Sequence, residues 1–432
     1  MAARANPVVF VHGCSDKGAS WAACREVSHR RLELDPADMR TCTYASLNNE
    51  VTIKDLAEAF VFQRIGRRSR LASRPFPPLP VKMDPSFATV CWRRTVTLAD
   101  SSRFQFTPDL TICRLLNGMW QVSGAHGYIE PARAIAEMFA YHDAGLTTWD
   151  LADHYGPAED FIGNFRRQFA ARHGAERLSE IQAFTKWVPA PGRMTRGVVE
   201  DAIGISLSRM GVECLDLLQF HWWDYNDENY LDALKYLADL QHEGKIRHLG
   251  LTNFDTEHLG VIADRVRIVS NQVQYSVIDR RPEVRMASFC REHAIALLAY
   301  GTLLGGLLSE KYLGRPEPRR PELNTASLQK YKNMIDAWGG WTLFQELLAV
   351  LRQTADKHRV SIANVGIRYI LDRPAVAGVI VGARLGATQH IAENGRVFGF
   401  ALDPGDLAMI EAILAKSRDL TRIIGDCGDE YR

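Results

Sequence analysis

The chain has 432 residues, and its 52 Lys and Arg against 51 Asp and Glu leave a net charge of +1, so nothing marks a nucleic-acid surface or an acidic ligand. No apolar run approaches the ~18 residues of a membrane span, and the first residues lack the cationic start and apolar core of a secretory leader. Eight cysteines without Cys-x-x-Cys or zinc spacing read as reduced thiols. A cytoplasmic protein with no metal site, no membrane partner and no nucleic-acid partner is therefore expected.

In chain order, residues 1–60 form a first segment that opens on an apolar run and a His12-Gly13 turn. Residues 61–105 follow as a linker that is basic between Arg64 and Arg74 and held extended by the prolines of Phe76-Pro-Pro-Leu-Pro80, a composition that favours disorder over packing. Met83 stands within it as an alternative start, and residues 90–107 can supply a short hairpin. From 106 to 425 the pattern changes to short apolar runs alternating with helical periodicity. Strands are expected at 146–150, 181–186, 215–221, 246–251, 268–274 and 296–300, and a last one near 379–382. Helices are expected at 131–143, 158–172, 196–210, 230–243, 256–263 and 282–293. A proline-rich stretch at 316–321 cannot be helical and is expected to form a mobile loop. Helices near 328–336, 341–358 and 362–371 and an extra one at 404–417 complete the reading. The fold class is α/β: a (β/α)8 TIM barrel preceded by a partly disordered N-terminal extension.

Three of these strands end on chemistry. Asp150 closes the first and is followed by Tyr155, Lys186 closes the second, and His221 closes the third. Residues at the carboxyl ends of successive parallel strands converge on one mouth, the active-site face of such a barrel. A carbonyl accepts hydride at carbon only when its oxygen is protonated or polarised, and a phenol with a pKa near ~10 is a poor donor at neutral pH. A nearby ammonium lowers the tyrosine pKa, a carboxylate holds that ammonium, and a histidine orients the substrate oxygen. Asp150, Lys186, Tyr155 and His221 supply these groups.

With these four positions the chain resembles the aldo-keto reductases, over residues of about 107–422. The segment from Asp150 to Glu159 is similar to the family's Asp and Tyr motif, and Lys186 and His221 match its other two catalytic positions. The resemblance implies further roles. Thr252, Asn253 and Gln272 would hold the nicotinamide carboxamide. Tyr300 would stack on the nicotinamide, and Gly301, Leu303 and Gly305 belong to the loop that lets backbone approach the pyrophosphate. Arg384, His390, Glu393 and Asn394 would meet the adenosine phosphate and adenine, an anion at a helix start being a natural use of free backbone donors. The Gly301-Thr302-Leu303 sequence and His390 depart from the family pattern. They leave NAD open beside the favoured coenzyme, NADP.

Trp120, Trp187 and Trp222 are expected to wall the mouth and to suit carbonyl substrates with hydrophobic or aryl bodies. The stretch from Asn6 to Trp21 is similar to the opening strand of an α/β-hydrolase. No Gly-x-Ser-x-Gly elbow follows anywhere in the chain, so residues 1–60 are expected to be a non-catalytic fragment. Two function classes result: an oxidoreductase that reduces an aldehyde or ketone with NADPH, and a nucleotide-binding regulatory barrel, like a channel β subunit, with little turnover.

Overall fold

The computed structural model describes residues 98, 100–124, 129–386 and 390–432. The hydrolase-like fragment, Met83 and the linker as far as residue 97 lie outside the described residues, whereas residues 103–105, expected as linker, belong to the first strand.

The described chain opens on an antiparallel hairpin of β1 (Arg103–Thr107) and β2 (Leu110–Cys113), in which Arg103 pairs with Cys113 and Thr107 with Leu110. Pro108-Asp109 makes its turn, and the Thr107 hydroxyl donates to Asp109 Oδ1 at 2.8 Å. Strand alternation sends Phe106, Leu110 and Ile112 to one side, where they pack with Leu116, Phe184, Leu217, Leu298 and Ala377 from the barrel strands. The sequence placed this hairpin at 90–107; it sits later, at 103–113.

The barrel strands are β3 (Leu115–Gly118), β4 (Thr148–Asp150), β5 (Gln182–Trp187), β6 (Leu215–His221), β7 (Ile246–Thr252), β8 (Ser270–Gln274), β9 (Ala296–Tyr300) and β10 (Val376–Gly382). Each pairs in parallel with the next, and β10 closes on β3 through Val379 with Leu115 and Gly382 with Gly118. The expected (β/α)8 barrel is the fold of this part of the chain. Its interior is stratified. The apolar layer over the hairpin fills the base, and polar residues take over two positions further along the same strands: Lys186 after Phe184, and Gln219 after Leu217.

The helices start where capping chemistry allows. α1 (Pro131–Asp143) begins with proline at its first position and the Glu130 carboxylate accepting from the Ala132 and Arg133 amides. α2 (Ala158–His173) carries Glu159 and Asp160 in its first turn. α3 (Arg196–Met210) is capped by Thr195 and ends at Gly211 in the left-handed region, φ 65°. α4 (Asn229–His242) and α5 (Thr256–Ala263) follow β6 and β7. The helix expected at 282–293 is shorter: α6 runs Met286–Glu292, because Arg285 has a non-helical φ of −137°. The Arg285 guanidinium donates instead to Asp426 Oδ2 at 3.0 Å.

Between β9 and β10, residues 316–319 are not helical, as the prolines require, and Arg320–Glu322 form a single 3-10 turn. α7 (Ala326–Trp338), α8 (Gly340–His358) and α9 (Ile362–Leu371) come next, the last opened by a Ser361–Asn364 capping box. α10 (Ile391–Gly395) and α11 (Pro404–Leu414) follow β10, and α11 stops three residues before the expected 417. α12 (Leu420–Ile424) and a final 3-10 turn at Asp429–Tyr431 were not foreseen. Among the described residues no helix is long and apolar enough to cross a membrane.

α2 and α3 approach closely at Gly163. A Cβ there would stand 2.1 Å from the Arg209 carbonyl oxygen, a backbone atom that cannot swing aside. Gly163→Ala is therefore expected to overpack this crossing and lower stability by about 1–3 kcal/mol. The midpoint of urea unfolding measures the loss; an unchanged midpoint would mean that the two helices separate without cost.

Candidate active site

Strand register sets the site. Asp150, the last residue of β4, pairs with Phe184 of β5; Lys186 pairs with Gln219 of β6, His221 with Thr252 of β7, and Thr252 with Gln272 of β8. Lys186, Gln219, His221, Thr252 and Gln272 all enter the interior from strand positions of like parity, a consequence of the two-residue side-chain period.

The centre is a buried carboxylate. Lys186 Nζ donates to Asp150 Oδ2 at 2.6 Å and to the Leu151 carbonyl at 2.9 Å. The other oxygen, Asp150 Oδ1, accepts from Gln272 Nε2 at 2.7 Å and Gln219 Nε2 at 3.0 Å. Gln272 Nε2 also donates to Gln219 Oε1 at 2.8 Å. Burial pulls the Lys186 ammonium below its usual range, and the charge of Asp150 partly restores it.

Tyr155 lies above this pair, its ring centroid 5.2 Å from Lys186 Nζ. Trp120 packs edge-on against the phenol at 5.2 Å, and His154 does so at 4.8 Å. The sequence led to a lowered phenol pKa. In the structure the Tyr155 phenol is pushed well above 10, first by burial and then by the negative charge of Asp150. Lys186 spends its charge on Asp150, so its pull on the phenol is offset.

His221 is 4 % exposed, and its Nε2 is buried without a hydrogen-bond partner. Burial holds the imidazole well below 6.5, and Arg432, His154, Lys186 and Lys330 reinforce that as nearby positive charges. The ring is neutral at pH 7. It packs 4.3 Å from Trp223 and 6.2 Å from Tyr431. The structure thus brings Asp150, Tyr155, Lys186 and His221 to one mouth.

The tryptophans divide. Trp120 is at the mouth beside Tyr155. Trp187 and Trp222, expected to wall it, do not: each follows an inward residue by one position and so points outward. Trp222 is fully buried against Phe220 and Tyr230, with its indole N–H donated to the Asp224 and Asp227 carbonyls at 2.8 Å. Trp187 packs 5.5 Å from Phe220 and borders a separate cavity of about 500 Å³ with Pro189, Met194 and Arg209. Trp223, absent from the sequence reading, is the second indole of the mouth.

The residues expected to hold a coenzyme lie along the rims of β7 to β10. Thr252 Oγ1 is buried and has no partner, which suits a ligand amide. Asn253 sits at φ 58°, and its Oδ1 accepts from the Tyr300 hydroxyl at 2.9 Å. Gln272, by contrast, is committed to Asp150 and Gln219. Gly301 has φ 72°, and a Cβ there would meet the Tyr331 hydroxyl at 2.4 Å; the glycine is required by packing against α7. Gly305 (φ 66°) and the partly buried Leu303 complete that loop. Beyond β10, Arg384 is exposed, His390 Nδ1 stands 3.2 Å from Glu393 Oε2, and Asn394 is buried. An unpartnered Thr252 beside His221, with a cationic side chain at the far rim, fits a nicotinamide dinucleotide.

Sequence reasoning missed Gln219, Lys330 and the C-terminal residues Glu430, Tyr431 and Arg432. Tyr300's hydroxyl is also 3.2 Å from Glu430 Oε1 and from the Tyr431 hydroxyl. Arg432 donates to the Trp222 and Asn253 carbonyls at 2.9 and 2.8 Å. Gln219 was legible, since it lies two positions before His221 on one strand. The tail carried no such signal.

The neutral buried His221 has a consequence for stability. In the unfolded chain an imidazole takes its proton near pH 6.5; in the folded protein it resists protonation to a much lower pH. Between the two the unfolded state binds more protons, so stability falls as pH drops below about 6.5, by at most about 1.4 kcal/mol per pH unit for this group. His221→Gln is expected to flatten that slope against the background of His142 and His248, whose pKa values burial also lowers. Urea midpoints measured from pH 7 to pH 5 test it; parallel slopes for both proteins would show His221 protonated in the fold.

Comparison with known proteins agrees with this geometry. The sequence pattern of the aldo/keto reductase family matches residues 114–415. Aldo-keto reductase str7 of Strobilurus tenacellus is 26% identical over 305 residues, covering 68% of this chain and 85% of that one. Flagellar radial spoke protein 5 of Chlamydomonas reinhardtii is 36% identical over 180 residues, but the match spans only 37% of this chain and 34% of that protein. Among solved structures, a glycerol dehydrogenase from Gluconobacter oxydans superposes with a TM-score of 0.61 at 21% identity, covering 76% of this chain and 98% of the other. With the catalytic-face geometry and a family match over most of its length, the chain belongs to the aldo-keto reductases, NAD(P)H-dependent oxidoreductases built on a (β/α)8 barrel.

Proposed function

We propose that the protein reduces an aldehyde or ketone to an alcohol with NADPH, Tyr155 giving the proton. The observation that carries this reading is the buried Lys186–Asp150 pair beneath Tyr155, next to a neutral His221 whose Nε2 has no partner. When bound, the reduced nicotinamide supplies hydride to the carbonyl carbon. Thr252 and Asn253 would hold its carboxamide, Tyr300 would stack on its ring, and Arg384, His390, Glu393 and Asn394 would hold its adenosine end.

The chain's own residues handle the oxygen. Burial and Asp150 keep the proton on Tyr155 at rest, so the donor is loaded at neutral pH. As negative charge builds on the carbonyl oxygen the phenol passes its proton to it, and the phenolate left behind faces the Lys186 ammonium 5.2 Å from the ring. A neutral His221 with a proton on Nε2 donates a hydrogen bond to the same oxygen and fixes its place. Trp120 and Trp223 shield these charges from water, which strengthens each of them.

Tyr155→Phe is expected to lower the rate of carbonyl reduction by about 10²–10⁴, the loss typical of a proton donor, while coenzyme affinity stays nearly constant. Single-turnover oxidation of NADPH with an aldehyde panel and titration of NADPH fluorescence measure the two quantities. Wild-type turnover in the variant would remove Tyr155 from the mechanism; tight coenzyme binding by the wild type with negligible turnover on every aldehyde would favour the regulatory reading.

Coenzyme choice rests on Arg384, exposed just past β10. A guanidinium on the ribose phosphate is charge-assisted and can be bidentate, worth about 1.5–3 kcal/mol or roughly 10–150-fold in binding. Arg384→Ala is expected to weaken NADPH by that factor and to leave NADH nearly untouched. Equal losses for both coenzymes in a binding titration would mean a general disturbance of the loop, and no loss would turn the assignment toward NAD.

A further inference from the structure

The last residues of the chain form part of the mouth, and they are firmly built. Arg281, 2 % exposed, donates to Asp279 Oδ1 at 2.8 Å and to the Asp426 carbonyl at 2.8 Å, and pairs with Glu430 Oε2 at 2.9 Å. Asp426 Oδ2 accepts from the Thr256 amide at 3.0 Å and so caps α5 from a distance. Gly428 has φ 91°, and a Cβ there would stand 2.0 Å from the Asn253 carbonyl oxygen, so only glycine lets the tail lie this close. The Arg432 guanidinium stacks 3.8 Å over Tyr225 and donates to the Trp222 and Asn253 carbonyls.

This lock presents Tyr431. Its ring is 6.2 Å from that of His221 and 6.1 Å from that of Trp223. Its hydroxyl oxygen accepts a hydrogen bond from Lys330 Nζ, on α7. Lys330 lies 4.0 Å from the Tyr431 ring centroid, 5.4 Å from that of Tyr300 and 5.5 Å from that of Tyr331. Among the described residues Lys330 makes no ion pair within contact distance; Glu430, the nearby carboxylate, pairs with Arg281 and feels Lys330 as its second positive charge. An ammonium has three N–H donors, and Tyr431 takes one. Because Tyr431 accepts from Lys330, its own proton is available to a further acceptor.

We propose that Tyr431 and Lys330 form a second polar subsite of the mouth, which recognises an oxygen function next to the reacting carbonyl: a vicinal carbonyl or carboxylate. The inference rests on the reductase reading, which places the reacting oxygen at Tyr155 and His221. The Tyr431 and His221 ring centroids are 6.2 Å apart, so one small molecule whose hydrogen bonds cover about 2.7–3.0 Å each can lie between these two residues. An electron-rich second oxygen accepts from the Tyr431 hydroxyl or directly from the ammonium, which prefers an anionic acceptor. The preferred substrates are 1,2-dicarbonyls and 2-oxo acids, held between Trp120 and Trp223.

Steady-state kinetics with paired substrates test this: phenylglyoxal and phenylglyoxylate, which carry the second oxygen, against benzaldehyde, which lacks it. Wild-type protein is expected to prefer the first two in kcat/KM. Tyr431→Phe is expected to reduce that preference by about 3–10-fold, mainly through KM, as for the loss of a hydrogen bond. Lys330→Met, which leaves the tail's anchors intact, is expected to reduce it by about 10-fold or more for phenylglyoxylate, the anionic member. Equal losses on all three substrates, or none, in both variants would overturn the subsite while leaving the reductase reading intact. A wild-type protein that reduces none of the three while binding NADPH overturns the reductase reading, and the subsite with it.

Discussion

The Asp150 carboxylate inside the barrel is the constraint around which the rest of the site is arranged. A carboxylate and an ammonium removed from water are costly, and the pair is tolerable only if every lone pair and proton finds a partner. Lys186, Gln219 and Gln272 supply partners from β5, β6 and β8, and the Leu151 carbonyl accepts a second hydrogen bond from Lys186. Removing one partner would strand the other charge, at a cost on the order of 3–5 kcal/mol. The network therefore ties catalytic geometry to fold stability: β4, β5, β6 and β8 cannot slip in register without exposing an unpaired charge. It also explains why the barrel interior changes from apolar to polar within one strand, the hairpin sealing water away beneath it.

Legibility in the sequence followed locality. Asp150, Lys186 and His221 could be read because each marks the end of a short apolar run, and Tyr155 because it follows Asp150 by five residues; the topology of parallel strands then forces them together. Helices with strong signals, Pro131–Asp143 and Arg196–Met210 among them, have the bounds expected from proline, threonine and glycine at their ends. Trp187 and Trp222 were misplaced because adjacency in sequence was taken for adjacency in space, whereas neighbouring strand residues face opposite ways. The helix expected from 282 shortens because Arg281 and Arg285 are recruited by Asp426 and Glu430, more than a hundred positions later. No local pattern announces such a contact.

The tail changes what the mouth is. From residue types alone, the pocket reads as an aromatic slot suited to apolar substrates. With Glu430 buried against Arg281, and Tyr431 and Lys330 beside His221, one wall of the slot is polar and charged. The same tail contacts the Asn253 carbonyl and the Tyr300 hydroxyl, so the segments expected to meet coenzyme and those facing substrate share one set of anchors. On the proposed roles, substrate recognition and coenzyme placement would be linked through residues that sequence order sets far apart.

Burial also decides the protonation states with which the site waits. The same desolvation that raises the Tyr155 phenol lowers the His221 imidazole, since in each case it disfavours the charged form. The result is a protonated phenol and a neutral imidazole, two hydrogen-bond donors without net charge, over a pair whose charges cancel. In the proposed reaction such a mouth would suit a neutral carbonyl better than an anion at the reacting position. It becomes strongly polar only as the oxygen of the substrate gains charge, which is when stabilisation contributes to rate rather than to ground-state binding. In the proposed reaction, the low dielectric that makes Asp150 and Lys186 costly to bury would also be what makes their field effective during proton transfer.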